Sequence, residues 1–270
     1  MFAKISKIPI FLPSRSFATL PVIFKYFKNL KNPDSRFLVR QLLPSEIPEV
    51  SSLIAEVYYN RENVIRTLNI PRDQFGESVQ KELKIAQEND LAIICRDEKS
   101  NKLAGAIYCE DMRVSLDEKS LLGVQEFSDE KWTQYEDFYK FCFLYMDKFA
   151  MPKGLNDILH CRRIAVLKEF SQLTVGNNLM YTARFLHPKM TKANRNLIIA
   201  THESSYNFCK LNGFELIKKI SYKSIRDRQN KKPFENMKKL DNRTEADEFV
   251  YVMKREIEGK NPLHEIKQKK

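Results

Sequence analysis

Two rhythms of apolar residues succeed one another along the chain, and together they predict an α/β (α+β) domain. Residues 37–42, FLVRQL, read as a first short strand. After Pro44, the residues Ile47, Val50, Leu53, Ile54 and Val57 recur three and four apart, the spacing of one face of a helix that reaches about Tyr59. A second helix is expected over 72–88. Residues 91–95 and 103–108 read as the arms of a hairpin around the polar stretch 96–102, and 132–149 as a helix heavy in aromatics. Further on, 158–167 alternates as a strand, 177–187 has helical spacing at Leu179, Met180, Ala183 and Leu186, and 196–201 is a short buried strand. A helix over 204–211 meets a left-handed stop at Asn212-Gly213, and strands at 214–220 and 248–254 complete the pattern. The order β α α β β α β α β α β β predicts a mixed, largely antiparallel sheet with helices on both faces.

Candidate chemistry begins in the stretch 155–187, where a strand passes through a short loop into a helix. The first free N–H groups of such a helix point into the loop and, with the helix dipole, favour an anionic phosphate. The run from Ile164 to Met180, IAVLKEFSQLTVGNNLM, resembles the acetyl-CoA signature of the GNAT N-acetyltransferase superfamily, roughly V-x-P-x-[YW]-[RQ]-G-x-G-[IL]-[GA]-x-x-L. Laid without gaps, the pattern puts Val166, Phe170, Gly176 and Leu179 in register. The family's Pro is Lys168 here, its Arg or Gln is Ser171, and a loop glycine is Thr174, which narrows the backbone conformations open to the loop. The resemblance implies a GNAT-like fold over 37–255 and acetyl-CoA as co-substrate, with no metal. The backbone of Ile164, Ala165 and Val166 would hold the pantetheine arm. N–H groups around Ser171, Gln172, Thr174, Val175, Gly176 and Asn177 would hold the pyrophosphate, and backbone N–H near Val166 would polarise the thioester carbonyl.

Two further stretches extend the resemblance. Residues 202–214, HESSYNFCKLNGF, are similar to the superfamily segment S-x-x-x-[FY]-x-K-L-G-F, with Ser205, Cys209, Gly213 and Phe214 in register; Cys209 stands where some acetyltransferases have a catalytic Tyr. Residues 57–64, VYYNRENV, are similar to the F-F-x-x-E-P-L segment of insect-type arylalkylamine N-acetyltransferases, whose glutamate is a general base. The match falls on Tyr58, Tyr59 and Glu62, with Asn63 in place of Pro. A primary ammonium must lose a proton before its nitrogen can attack a thioester, so Glu62 is the candidate base. His202 and Ser205 are secondary catalytic candidates, because they follow a strand expected beside the cofactor strand. His160 could face the core or the substrate, and Phe138, Tyr139, Phe141 and Phe143 could line an acceptor pocket or simply fill the core.

Composition changes this picture mainly at the ends. An apolar fraction of 43% and a charged fraction of 30% suit a folded domain, and no run of about 18 apolar residues suggests a membrane span. The five cysteines form no Cys-x-x-Cys pair, which gives neither a zinc site nor a disulfide framework and points to a reducing compartment. The net charge of +11 is concentrated in the flanks and in 218–240, while 37–217 is close to neutral, which speaks against a nucleic-acid groove built into the fold. Residues 1–36 carry Lys4, Lys7, Arg15, Lys25, Lys28, Lys31 and Arg36 with no acid before Asp34. That is the composition of a mitochondrial transit peptide, with a plausible processing site at Arg15-Ser-Phe17-Ala and delivery to the matrix as the expectation. The alternative is a basic arm that docks on a partner. Residues 256–270 form a basic tail.

Two functional readings follow. In one, the chain is an acetyl-CoA-dependent N-acyltransferase that acetylates a small-molecule primary amine by direct transfer. In the other, it is a GNAT-fold scaffold subunit whose basic flanks bind protein partners in a mitochondrial assembly such as a ribosome or respiratory complex. A gap between the strand carrying Ile164–Leu167 and the strand carrying 197–200 is required by the first reading.

Overall fold

The computed structural model describes residues 22–28, 36–112, 129–144, 157–171, 174–183, 195–235, 237 and 248–256. Its strands, in chain order, are β1 (Ile23–Lys28), β2 (Arg36–Gln41), β3 (Ala92–Asp97), β4 (Leu103–Asp111), β5 (Ile158–Val166), β6 (Arg195–Ala200), β7 (Glu215–Ser221) and β8 (Phe249–Glu256). Its helices are α1 (Ile47–Arg61), α2 (Asn63–Leu68), α3 (Arg72–Glu88), α4 (Glu130–Leu144), α5 (Val175–Ala183) and α6 (Glu203–Leu211). The strands join into one eight-stranded sheet ordered β1-β2-β3-β4-β5-β6-β8-β7. Every pairing is antiparallel except β5 with β6. This is the mixed, largely antiparallel architecture that the sequence pattern predicts.

Helices cover both faces of the sheet. Gly105 on β4 meets Leu179 of α5, and an added Cβ there would lie 3.1 Å from Leu179 Cδ1. Tyr108, three residues on and therefore on the opposite face, hydrogen-bonds Glu82 of α3. The helix faces are those set by the apolar spacing: α1 buries Ile47, Val50, Leu53 and Ile54, and α3 buries Phe75, Val79, Leu83 and Ala86. The aromatics of α4 divide between core and site. Phe138 and Phe143 are core residues, Phe141 is partly buried against them, and Tyr139 reaches a cavity described below.

Two elements depart from the sequence pattern. Ile23–Lys28, inside the basic flank, forms β1 on the sheet edge, with Phe27 stacked on Phe37 of β2 at 5.1 Å and Lys25 Nζ 4.6 Å from the Tyr181 ring of α5. Its alternation of aromatics and lysines fits an edge strand as well as an amphipathic flank. The short α2 is likewise unforeseen, since six residues show no periodicity to read. Parts of the expected helices, 145–149 and 184–187, lie outside the described residues, as do the tail from 257 and most of the N-terminal flank.

Candidate active site

The site originates in a register fault between two strands. On β4 and β5, Tyr108 pairs with Arg163 and Cys109 with Cys161, so Arg162 is an extra residue with no opposite number. Such a bulge bends its strand and sharpens its twist. The consequence appears on the other edge of β5. Ile158, Leu159 and His160 pair with Arg195, Asn196 and Leu197 of β6, and there the parallel pairing stops. Beyond it β5 stays with β4 up to Val166, while β6 stays with β8 up to Ala200. The two strands diverge around a cavity of about 290 Å³, whose walls include Ile164 and Val166 on one side and Ile198, Ala200 and Thr201 on the other.

This geometry frees backbone donors on β5. Leu167 N–H bonds Ala104 O on the β4 side, so the alternation of strand N–H groups turns those of Val166 and Ile164 toward the gap. Ile164 N–H donates to the hydroxyl of Tyr58 on α1, at 3.3 Å, rather than to a neighbouring strand. Ala165 is buried on the face away from the cavity and contributes backbone only.

Glu62 sits where α1 breaks. Its own backbone is extended, with φ −88° and ψ 119°, and its Oε2 accepts from Ile65 N–H at 2.8 Å, which makes it the N-cap of α2. The side chain lines the cavity at 4% exposure, and its Oε1 makes no conventional hydrogen bond among the described residues. Burial pushes its carboxyl above the usual carboxylate range, against the Ile65 N–H, the Thr201 side chain and the charge of Arg163. Tyr58 lies beside it, and burial pushes its phenol upward, so its proton is held firmly at neutral pH.

The loop and helix after β5 close one end of the cavity. Ser171 lines it, with its hydroxyl donated to Lys168 O at 2.7 Å, and so does Gly176, where an added Cβ would stand 3.2 Å from Phe208 Cε2 of α6. Thr174 adopts φ 62°, the left-handed conformation natural to glycine and uncommon for a β-branched residue. Its carbonyl accepts from Asn178. Val175 is fully buried, and Asn177 accepts from Asn212 at 3.1 Å; their side chains and that of Thr174 are not cavity walls. Gln172 lies outside the described residues.

His202 and Ser205 also face the cavity. His202 caps α6: its Nδ1 accepts from Ser205 N–H at 3.2 Å, and Ser205 Oγ lies 2.9 Å from Nε2. The ring therefore spends both nitrogens on its own helix start. Cys209, a cavity wall, is buried, which pushes its thiol up to about 12. His160 is a core residue, 2.8 Å from Glu110 and edge-on to Phe143, with burial lowering its basicity.

Sequence pattern gave no sign of the polar floor beneath the cavity. Arg163 is buried with a partner on every nitrogen: it donates to Glu82 at 3.0 Å, to the Tyr108 hydroxyl at 2.7 Å and to the Tyr135 hydroxyl at 2.8 Å. Arg162, placed beside it by the bulge, lines the cavity itself. Two arginines within a strand are legible, but their burial depends on Glu82 lying 81 residues away.

No protein-family model matches the sequence, and no curated protein matches it. Solved structures do. A putative arylalkylamine N-acetyltransferase 7 of the yellow fever mosquito Aedes aegypti superposes with a TM-score of 0.66 at 14% identity, over 89% of this chain and 97% of that one. The C-terminal condensation domain of Ebony, solved with beta-alanyl-dopamine, gives 0.65 at 16% identity, over 82% and 99%. The chain has the GNAT fold. A polyamine N-acetyltransferase of Drosophila melanogaster, which forms N-acetylagmatine, is a third such neighbour, with a TM-score of 0.63 at 15% identity over 82% and 99%. Among the described residues, no group of three or more His, Cys, Asp or Glu is placed to hold a metal, and no helix is long and apolar enough to cross a membrane.

Proposed function

We propose that the chain is an acetyl-CoA-dependent N-acyltransferase acting on a primary amine, with Glu62 as general base. The observation that carries this reading is the open flank of β5: backbone N–H groups of Ile164 and Val166 turn into a cavity that also holds a buried, half-satisfied carboxylate. Acetyl-CoA, when bound, supplies an acyl group activated as a thioester. The chain's part is to hold and orient. Val166 N–H, which has no partner among the described residues, is a donor for the pantetheine arm or the thioester carbonyl, and the start of α5 behind Thr174 offers N–H groups to phosphate. Thr174 supports the reading, because the loop keeps a glycine-like conformation although the glycine is gone.

Glu62 is matched to the removal of a proton from an ammonium group, since its raised pKa brings it nearer the operating pH than an exposed carboxylate would be. Tyr58 accepts from Ile164 N–H and keeps its own proton, which lets its hydroxyl hydrogen-bond the departing sulfur. Two of the neighbours are named as a putative arylalkylamine N-acetyltransferase and a polyamine N-acetyltransferase, which supports an amine acceptor. The basic, acid-poor segment before residue 37 supports import into the mitochondrial matrix.

Coenzyme A should raise the melting temperature of the full chain by mass action, by about 2.7 kcal/mol of added stability at a hundred times its Kd. Titration to millimolar acetyl-CoA with neither a thermal shift nor calorimetric heat would overturn the acyltransferase reading.

A further inference from the structure

We infer that the acceptor is an amino acid, an amine that also carries a carboxylate, and that Arg162 binds that carboxylate; the inference rests on the acyltransferase reading above. Two buried side-chain atoms lining the cavity lack a hydrogen-bond partner among the described residues. One is an acceptor, Glu62 Oε1, and the other is a donor, Arg162 Nη2. The two groups form no ion pair with each other, and the cavity lies against both. A molecule that satisfies both at once offers an ammonium to Glu62 and an anion to Arg162.

The surroundings of Arg162 account for its charge and not for its hydrogen bonds. Its side chain is 2% exposed, and its Nε stands 3.6 Å from Glu82 and 3.9 Å from Glu110, beyond hydrogen-bond reach. Glu82 is already taken by Arg163 and Tyr108, and Glu110 by His160. The contrast with Arg163, whose three nitrogens all have partners, shows that this fold can give every nitrogen of a buried guanidinium an acceptor when its role is structural. Arg162 Cζ instead lies over the Tyr139 ring, 4.3 Å from its centroid, a contact that holds the guanidinium in place while Nη2 is left without an acceptor among the described residues. A planar fork of parallel N–H donors matches a carboxylate, and a buried donor without an acceptor is rare in native proteins. The bulge explains the placement: without the extra residue, Arg162 and Arg163 would project to opposite faces.

The test pairs each amino acid with its decarboxylated form, tyrosine with tyramine, tryptophan with tryptamine and arginine with agmatine, and follows release of coenzyme A from acetyl-CoA by the full chain. The amino acid of at least one pair should be favoured in kcat/KM by tenfold or more. Arg162→Lys keeps a cation between Glu82 and Glu110 but loses the fork, and it should bring that ratio close to one. A preference for the decarboxylated member in every pair, or a ratio unmoved by Arg162→Lys, would overturn the inference while leaving the acyltransferase reading intact. Succinyl-CoA serves as a control. If Arg162→Lys alters the choice between succinyl and acetyl donors and not the choice between acceptors, the carboxylate belongs to the acyl group and the assignment to the acceptor is wrong. If coenzyme A does not bind and no pair reacts, the acyltransferase reading fails by itself. The carboxylate site is then judged by calorimetric titration with the same amino acids: heat that disappears in Arg162→Lys supports it, and no heat overturns it.

Discussion

Glu62 combines two duties that pull in opposite directions. As a helix cap it needs only a carbonyl-like acceptor for Ile65 N–H, whereas as a base it needs a charge, and the charged form is what burial penalises. Glu62→Gln separates the two. The amide oxygen can keep the cap while proton acceptance is lost, so turnover should fall by about a hundred- to ten-thousand-fold with coenzyme A affinity nearly intact. That defect should shrink at high pH, where the amine arrives already neutral. Stability should move the other way. Because the folded carboxyl titrates above its unfolded value, the stability it contributes is present at low pH and lost as pH rises through the raised value. The Gln variant escapes that loss. Its melting temperature should match the wild type in acid and exceed it at neutral pH, and a variant with wild-type turnover at pH 7 would remove Glu62 from catalysis.

At the scale of elements, the strand, loop and helix from Ile158 to Ala183 form the unit whose layout was legible in advance. The alternation of β5, the spacing of α5 and the glycine at 176 are all local, and each can be read from a dozen residues. What stayed hidden is non-local. The bulge at Arg162 exists only relative to β4, the end of β5–β6 pairing exists only relative to β6, and the floor needs Glu82 from α3. The break of α1 at Glu62 is also set by its surroundings, since the sequence around it contains no Gly or Pro. Thr174 lies between these cases: its departure from a glycine is visible in the sequence, but its φ of 62° is not. The left-handed conformation costs a residue with a Cβ about 1–2 kcal/mol, partly offset by the greater chain entropy of glycine. Thr174→Gly should therefore raise the melting temperature by a few degrees, roughly 2–4 °C for each net kcal/mol in a domain of this size. Combined with Ser171→Arg, which adds a charged phosphate contact, it should also tighten coenzyme A binding. An unchanged Kd would mean that the existing loop already serves the phosphates through its own hydroxyls and N–H groups.

The whole molecule poses a question that no single element does, because β1 belongs both to the sheet and to the basic flank expected to direct the chain into mitochondria. β1 shields the outer edge of β2, with Phe24 and Phe27 packed against the core and Lys25 over Tyr181. An uncovered β2 would present unpaired backbone groups and the rim of Phe37 to solvent and to other chains. Any processing compatible with the sheet must then cut before Val22, and the Arg15-Ser-Phe17 site satisfies this, whereas a cut near Arg36 would not. Chains starting at Val22 and at Arg36 should differ accordingly. The shorter one should melt several degrees lower and self-associate at concentrations where the longer stays monodisperse, as calorimetry and light scattering would read. In cells, the amino terminus of the protein purified from mitochondria should map between residues 16 and 22. A mature terminus at or beyond Arg36, or two truncations of equal stability, would mean that β1 is dispensable and that the fold is complete from β2 onward.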